Sequence, residues 1–144
     1  MKQITKSANC KASPEVACSR ILSEEGLMTW WIGKIKIVEK DNSWPALNSK
    51  MSWSVMGNSI FIARVVKDGR PSQVIMEVET PSADSLITHS FDSMSDGGTR
   101  YSKNVEPKPR SKIMGLIIIP LLLVMLHFMV KKEVQRAVAY ADSV

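Results

Sequence analysis

The sequence predicts an α+β domain in which a curved antiparallel sheet of about seven strands wraps around a long C-terminal helix, with two short helices after the first strand. Three observations support this prediction. Apolar and polar residues alternate between residues 35 and 105, turn residues divide that stretch into short segments, and residues 113–130 form an uncharged apolar run. A chain of 144 residues suits one domain, and we assign residues 1–144 to it.

The helical pair is predicted from the phrase KASPEVACSRIL at residues 11–22. Ser13 offers a capping hydroxyl, Pro14 has no N–H to leave unbonded, and Glu15 places a carboxylate at the positive end of a helix. Residues 24–26 interrupt this helix, and a second apolar segment then ends in the adjacent pair Trp30 and Trp31. Because neighbouring indoles cannot point the same way, we expect one of them to face inward.

Alternation of period two predicts the strands, which are separated by turns near residues 41–45, 57–58, 68–71, 81–84 and 96–98. In most strands one face is clearly apolar. Residues 60–66 are apolar on both faces, and there Arg64 shares a face with Ile60 and Ile62. That arginine is expected either to bind a ligand carboxylate or to extend to an open sheet edge.

The C-terminal tail has two apolar sides. Helical spacing from Leu116 to Ala141 gives one continuous stripe for the core of the domain. The opposite side of residues 117–128 is apolar as well, so it needs a partner: a bilayer, a second copy of the chain, or more of its own fold. Eighteen residues reach the lower limit for a membrane span, and Pro120 and His127 weaken that reading. Peripheral membrane contact and a homodimer through residues 117–128 both remain open.

Composition argues against several classes of function. The formal charge is +5, yet the basic residues are scattered and do not interleave with aromatic residues, so no nucleic-acid partner is expected. Cys10 and Cys18 lack the spacing of a metal or redox site, and P-loop, HExxH and GxSxG motifs are missing, so no metal or cofactor is expected. No apolar targeting segment precedes Cys10, which favours the cytoplasm.

Three stretches together resemble the START-like (SRPBCC) superfamily, specifically its polyketide cyclase/dehydrase and lipid-transport group. They are KASPEVACSRIL, the WW pair and DGGTRYSKNVEP, followed by the basic amphipathic helix. The resemblance implies a helix-grip fold with a hydrophobic cavity between the sheet and the C-terminal helix. Relatives use that cavity to hold lipids, sterols or polyketides, and a minority catalyse cyclisation, dehydration or hydrolysis. The apolar outer side of residues 113–130 departs from the family pattern and favours membrane contact or dimerisation.

We therefore expect non-covalent binding of a hydrophobic small molecule in an internal cavity. The alternatives are a cyclase or dehydratase that uses His89 or His127 as its acid or base, and a membrane-associated domain. Either histidine can instead be a buried side chain with a hydrogen-bond partner. The candidate cavity residues are Trp30, Trp31, Met51, Trp53, Ile62, Arg64, Met76, His89, Phe91, Tyr101, Leu123 and His127.

Overall fold

The structure, a computed structural model, describes residues 3–31, 33–81 and 83–143. Seven strands form one antiparallel sheet in the order β1-β7-β6-β5-β4-β3-β2. The strands are β1 (Ile4–Cys10), β2 (Ile35–Lys40), β3 (Lys50–Val55), β4 (Ser59–Gly69), β5 (Gln73–Glu79), β6 (Asp84–Ser93) and β7 (Thr99–Lys108). Strands β2 to β7 follow one another as neighbours in the sheet. The last strand, β7, also pairs with the first strand, β1, which forms one edge of the sheet. The predicted fold class and strand number are confirmed.

The helices are α1 (Pro14–Ile21), α2 (Glu24–Trp30) and α3 (Ile119–Ser143), the last preceded by a π-helical segment at Met114–Ile118. Ser13 caps α1 as predicted, because its side chain accepts the Val16 N–H. The break between α1 and α2 lies earlier than predicted. Ser23 caps α2 by accepting the Gly26 N–H at 2.9 Å, so residues 24–26 begin the second helix instead of interrupting the first.

The C-terminal end of α3 is held by the start of the chain. The Asp142 carboxylate accepts the backbone N–H groups of Lys11 and Ala12 at 3.0–3.1 Å. The Thr99 hydroxyl donates to the Ala12 carbonyl at 2.7 Å. Beside it, a Cβ on Gly98 would lie 2.5 Å from the Cys10 carbonyl oxygen, so only glycine fits. The Gly-Gly-Thr turn and the Ala-Ser-Pro-Glu helix start therefore meet at one end of α3.

The two halves of α3 differ in burial. Val130, Val134, Ala137 and Ala141 are buried in the core, and Ile119 and Leu123 extend this stripe toward the N-terminus. Leu116, which was predicted to begin the stripe, is 77% exposed. It lies in the π-helical segment, whose wider turn shifts the phase of the following side chains. By length and composition alone, Gly115–Ser143 is the one helix in the described part of the chain that could cross a membrane.

Candidate ligand-binding cavity

A cavity of about 380 Å³ lies between the sheet, α2 and α3. Its wall is mostly apolar, and it includes residues from the helices, from β3 to β7 and from the loop after β2. Its larger apolar side chains include Ile21, Leu22, Leu27, Trp30, Trp31, Trp44, Met51, Trp53, Met56, Phe61, Met76, Ile87, Leu122, Met125, Leu126 and Met129. A volume of this size is within the usual range of about 300–1,000 Å³ for small-molecule sites.

The opening of the cavity is marked by its most exposed wall residues. Met56, between β3 and β4, is 90% exposed, and Met125 on α3 is 53% exposed. Both contribute to the cavity wall. Because both side chains line the cavity and are exposed to solvent, the entrance lies between the β3–β4 hairpin and the first half of α3.

An ion pair is buried in this apolar wall. Lys103 Nζ lies 3.0 Å from Glu133 Oε1, and their side chains are only 3% and 7% exposed. The Lys103 ammonium also lies 4.2 Å from the centre of the Trp30 ring, where the aromatic face attracts a cation. The basic residue of the pair lies on β7 and the acidic residue lies on α3. The pair therefore joins the sheet to the helix across one side of the cavity.

His89 lies next to this pair, directly opposite Lys103 in the register of β6 and β7. Its Nδ1 is 2.7 Å from the Tyr101 hydroxyl. Burial, reinforced by the positive charge of Lys103, holds the pKa of His89 well below its ordinary value of 6.5. Burial also raises the pKa of Tyr101 well above its ordinary value, with Glu133 adding to the effect. Both side chains are therefore neutral near pH 7, and Nε2 of His89 remains for a ligand.

The low pKa of His89 makes stability depend on pH. The unfolded chain binds a proton at His89 near pH 6.5 while the folded chain does not, so the free energy of unfolding should fall as the pH drops below 6.5. We expect His89→Gln to flatten this dependence in urea titrations between pH 7 and the range where carboxylates titrate. His127→Gln, at the exposed histidine, is the matched control. An unchanged slope in His89→Gln would contradict the assignment.

The Trp53 indole N–H is a buried donor without a partner among the described residues. Trp53 is 2% exposed and contributes to the cavity wall. Two other indoles in the wall are satisfied: Trp30 donates to the Ile21 carbonyl at 2.9 Å and Trp44 to the Leu22 carbonyl at 2.8 Å. Buried indole N–H groups usually find an acceptor, so the Trp53 donor indicates a place for a ligand acceptor atom.

Half of the residues proposed from the sequence contribute to the cavity wall. They are Trp30, Trp31, Met51, Trp53, Met76 and His89. Both indoles of the Trp30–Trp31 pair take part, although only one was expected to face inward. Trp31 packs edge-on against Trp53 and Phe61, with ring centres 5.4 and 5.3 Å apart.

Two of the proposed residues lie on the outer face of the sheet. Ile62 and Arg64 point away from the cavity, because Phe61, Ala63 and Val65 are the inward residues of β4. Arg64 donates to Glu77 Oε2 at 2.9 Å across the neighbouring strand, which accounts for its charge without a ligand. Neither predicted alternative holds, because β4 is an interior strand and Arg64 lies over the outer face of the sheet instead of at an open edge.

Four further candidates lie away from the cavity for other reasons. Phe91 and Tyr101 stack on each other with ring centres 5.2 Å apart and fill the core, where Tyr101 supports His89 from outside the wall. Leu123 packs into the core on the buried stripe of α3. His127 is exposed, with Nε2 3.5 Å from Lys6 Nζ. Of the two candidate acid–base histidines, His89 alone reaches the cavity.

Comparison with known proteins identifies the fold. No family model matches the sequence, and no curated protein matches it either. A solved protein from Chromobacterium violaceum superposes with a TM-score of 0.72, at 16% identity over 100% of both chains. A START superfamily protein from Mycobacterium smegmatis superposes with a TM-score of 0.63, at 16% identity over 94% of this chain and 96% of that one. The chain has the START-like fold.

A third solved protein, from Thermus thermophilus, superposes with a TM-score of 0.71 at 14% identity over 96% of each chain. Sequence identity this low describes the shared architecture only. Two polar residues of the cavity wall, Lys103 and Glu133, were not predicted from the sequence. Their signal was present, because Lys103 alternates in phase with Tyr101 and Val105 and Glu133 lies one turn from Val130 and Ala137.

Proposed function

We propose that this START-like protein binds a hydrophobic small molecule in its internal cavity, and that the molecule carries a hydrogen-bond acceptor. The observation that supports the proposal most directly is the Trp53 indole N–H, a buried donor without a partner among the described residues, in the wall of an apolar space of about 380 Å³. Apolar surface supplies the affinity at ~25 cal/mol per Å² removed from water. The unsatisfied donor supplies selectivity, because it favours an acceptor over a hydrocarbon.

The buried polar side chains Lys103, Glu133 and His89, which also line the cavity, favour the same ligand chemistry. Lys103 and Glu133 satisfy each other, so a second charge is not required in the cavity. His89 is neutral and keeps Nε2 for a hydrogen bond, since Tyr101 occupies Nδ1. A ketone, an ester or a carboxyl group on a largely apolar skeleton would meet these requirements. The lipid, sterol and polyketide classes considered above all include such molecules.

The direct test is to identify what the purified protein retains. Native mass spectrometry should show a mass above that of the bare chain, and mass spectrometry after denaturation and solvent extraction should identify the retained compound. A protein that retains nothing, and whose melting temperature responds to no member of a fatty acid, sterol and polyketide panel, would contradict the proposal.

Trp53→Phe should separate acceptor recognition from apolar contact. The matched probes are 2-acetylnaphthalene, which has a carbonyl, and 2-ethylnaphthalene, which has the same carbon skeleton without the carbonyl oxygen. In calorimetric titrations, the variant should bind the ketone about 2–10-fold more weakly, the range expected for one net hydrogen bond. Affinity for 2-ethylnaphthalene should stay the same or rise. Equal changes for both probes would contradict a role for the indole N–H.

Catalysis by a cyclase or dehydratase is the second candidate, and it depends on His89. A neutral imidazole in the wall can exchange a proton with a bound ligand. Among the described residues this imidazole forms a hydrogen bond with the Tyr101 hydroxyl alone, and no carboxylate orients it. Binding therefore ranks first.

The proposed location is the cytoplasm, where a carrier of apolar molecules has access to membranes.

A further inference from the structure

The first half of α3 and the segment before it present a large apolar surface to solvent. Leu116, Ile117, Leu121, Val124 and Phe128 are between 60% and 77% exposed. We call these five residues the apolar strip. Single exposed apolar residues are common on protein surfaces. A continuous apolar strip along several helical turns instead indicates a surface that binds another protein or a membrane.

Charge around the apolar strip identifies its partner. No Asp or Glu occurs between residues 107 and 132, whereas five basic residues do: Lys108, Arg110, Lys112, Lys131 and Lys132. Lys108 pairs with Glu106 and Arg110 with Asp84. Lys112, Lys131 and Lys132 are exposed, and none of them forms an ion pair with another described residue. The strip thus has free cations at both of its ends.

This distribution disfavours a second copy of the chain as the partner. Two copies packed strip to strip would bring lysines against lysines whether the helices ran parallel or antiparallel, because both ends are basic. An anionic lipid surface offers the complementary charge to both ends and an apolar layer to the strip between them. The observations therefore favour a bilayer surface over self-association.

The opposite side of the same helix packs against the core of the domain. Ile119 and Leu123 are buried, and the Asp142 carboxylate fastens the C-terminal end of α3 to residues 11–12. A helix with one face in its own core and the other apolar face outward can lie in a membrane surface without leaving the domain. Met125, at the entrance of the cavity, lies on this helix.

We propose that the apolar strip docks peripherally on anionic lipid surfaces and that docking places the cavity entrance against the bilayer. This inference extends the proposed function, because an apolar ligand could then pass between bilayer and cavity without crossing water. The docking itself requires only the strip and its flanking lysines, so it can be tested apart from ligand binding.

The test is co-sedimentation of the full chain with vesicles of phosphatidylcholine alone or mixed with phosphatidylserine. Binding should require phosphatidylserine and weaken as salt is raised. Leu121→Glu combined with Phe128→Glu should reduce binding by at least about tenfold, since two large apolar contacts are lost. Val38→Glu combined with Leu47→Glu is the matched control, because these exposed residues, at 53% and 56%, lie outside the strip.

Three outcomes would overturn the inference. One is a failure of the wild-type chain to sediment with either vesicle. Another is a stable dimer in sedimentation velocity that Leu121→Glu and Phe128→Glu convert to monomer, which would make a second copy the partner. The third is extraction from cell membranes by detergent but not by salt or alkali, which would indicate a span. Ala63→Phe should fill the cavity but leave vesicle binding intact. A failure of ligand binding can therefore be distinguished from a failure of membrane docking.

Discussion

Glu133→Leu should lower the free energy of unfolding by about 3–5 kcal/mol, because it leaves the Lys103 ammonium buried without its carboxylate. Lys103 is 2% exposed and its Nζ lies 3.0 Å from Glu133 Oε1, so water cannot replace the lost partner without opening the wall. Urea denaturation at pH 7 measures the change. The cation–π contact with Trp30 offsets only a small part of this cost.

Two controls isolate the effect of burial. Arg64 and Glu77 form an ion pair of similar length, 2.9 Å, but their side chains are 43% and 52% exposed. Glu77→Leu should therefore cost no more than about 1 kcal/mol. Lys103→Met combined with Glu133→Leu should recover most of the lost stability, since the isolated charge is removed. A Glu133→Leu variant no less stable than Glu77→Leu would show that the pair is not isolated from water.

Ala63→Phe should abolish most ligand binding. Ala63 lies in the cavity wall between Met51 on β3 and Val78 on β5, and a benzyl side chain there would extend into the space the ligand needs. Loss of even ~60 Å² of apolar contact at ~25 cal/mol per Å² weakens binding about tenfold, and a phenyl group displaces more than that. Titration with 2-acetylnaphthalene measures the loss.

Ile62→Phe is the matched control for this variant. Ile62 is the adjacent residue of β4, but its side chain is 36% exposed on the outer face of the sheet. The same new side chain there should leave the affinity for 2-acetylnaphthalene unchanged. Thermal denaturation should show that Ala63→Phe remains folded. A folded Ala63→Phe protein with wild-type affinity would place the binding site outside the cavity.

The fold was predictable because most of its elements carry an unambiguous local signal. Strands such as β5 alternate buried and exposed residues, and Ser13 with Pro14 specifies the start of α1. The ambiguous case was β4, where both faces are apolar. An alternation of period two divides the residues of such a strand between two faces, but it does not show which face is buried. Ile62 and Arg64 were therefore assigned to the cavity face, which is the wrong one.

The site was harder to predict because its polar residues become partners only in three dimensions. Lys103 and Glu133 are 30 positions apart, and each looks like an ordinary surface charge when read alone. A buried ion pair is indicated only when two features are considered together. One is a basic residue at an inward strand position, and the other is an acidic residue on the core face of a helix. His127 shows the reverse error, since helical phase placed it near the core stripe with Leu123 and Val130, whereas its side chain is exposed and lies beside Lys6.

The placement of the indoles has a practical consequence. The chain contains four tryptophans, and all of them, Trp30, Trp31, Trp44 and Trp53, belong to the cavity wall. The intrinsic ultraviolet emission of the protein's tryptophans therefore originates entirely around the space where a guest would reside. Filling or emptying that space should shift the colour and intensity of this emission, which gives an optical readout of occupancy without any added label.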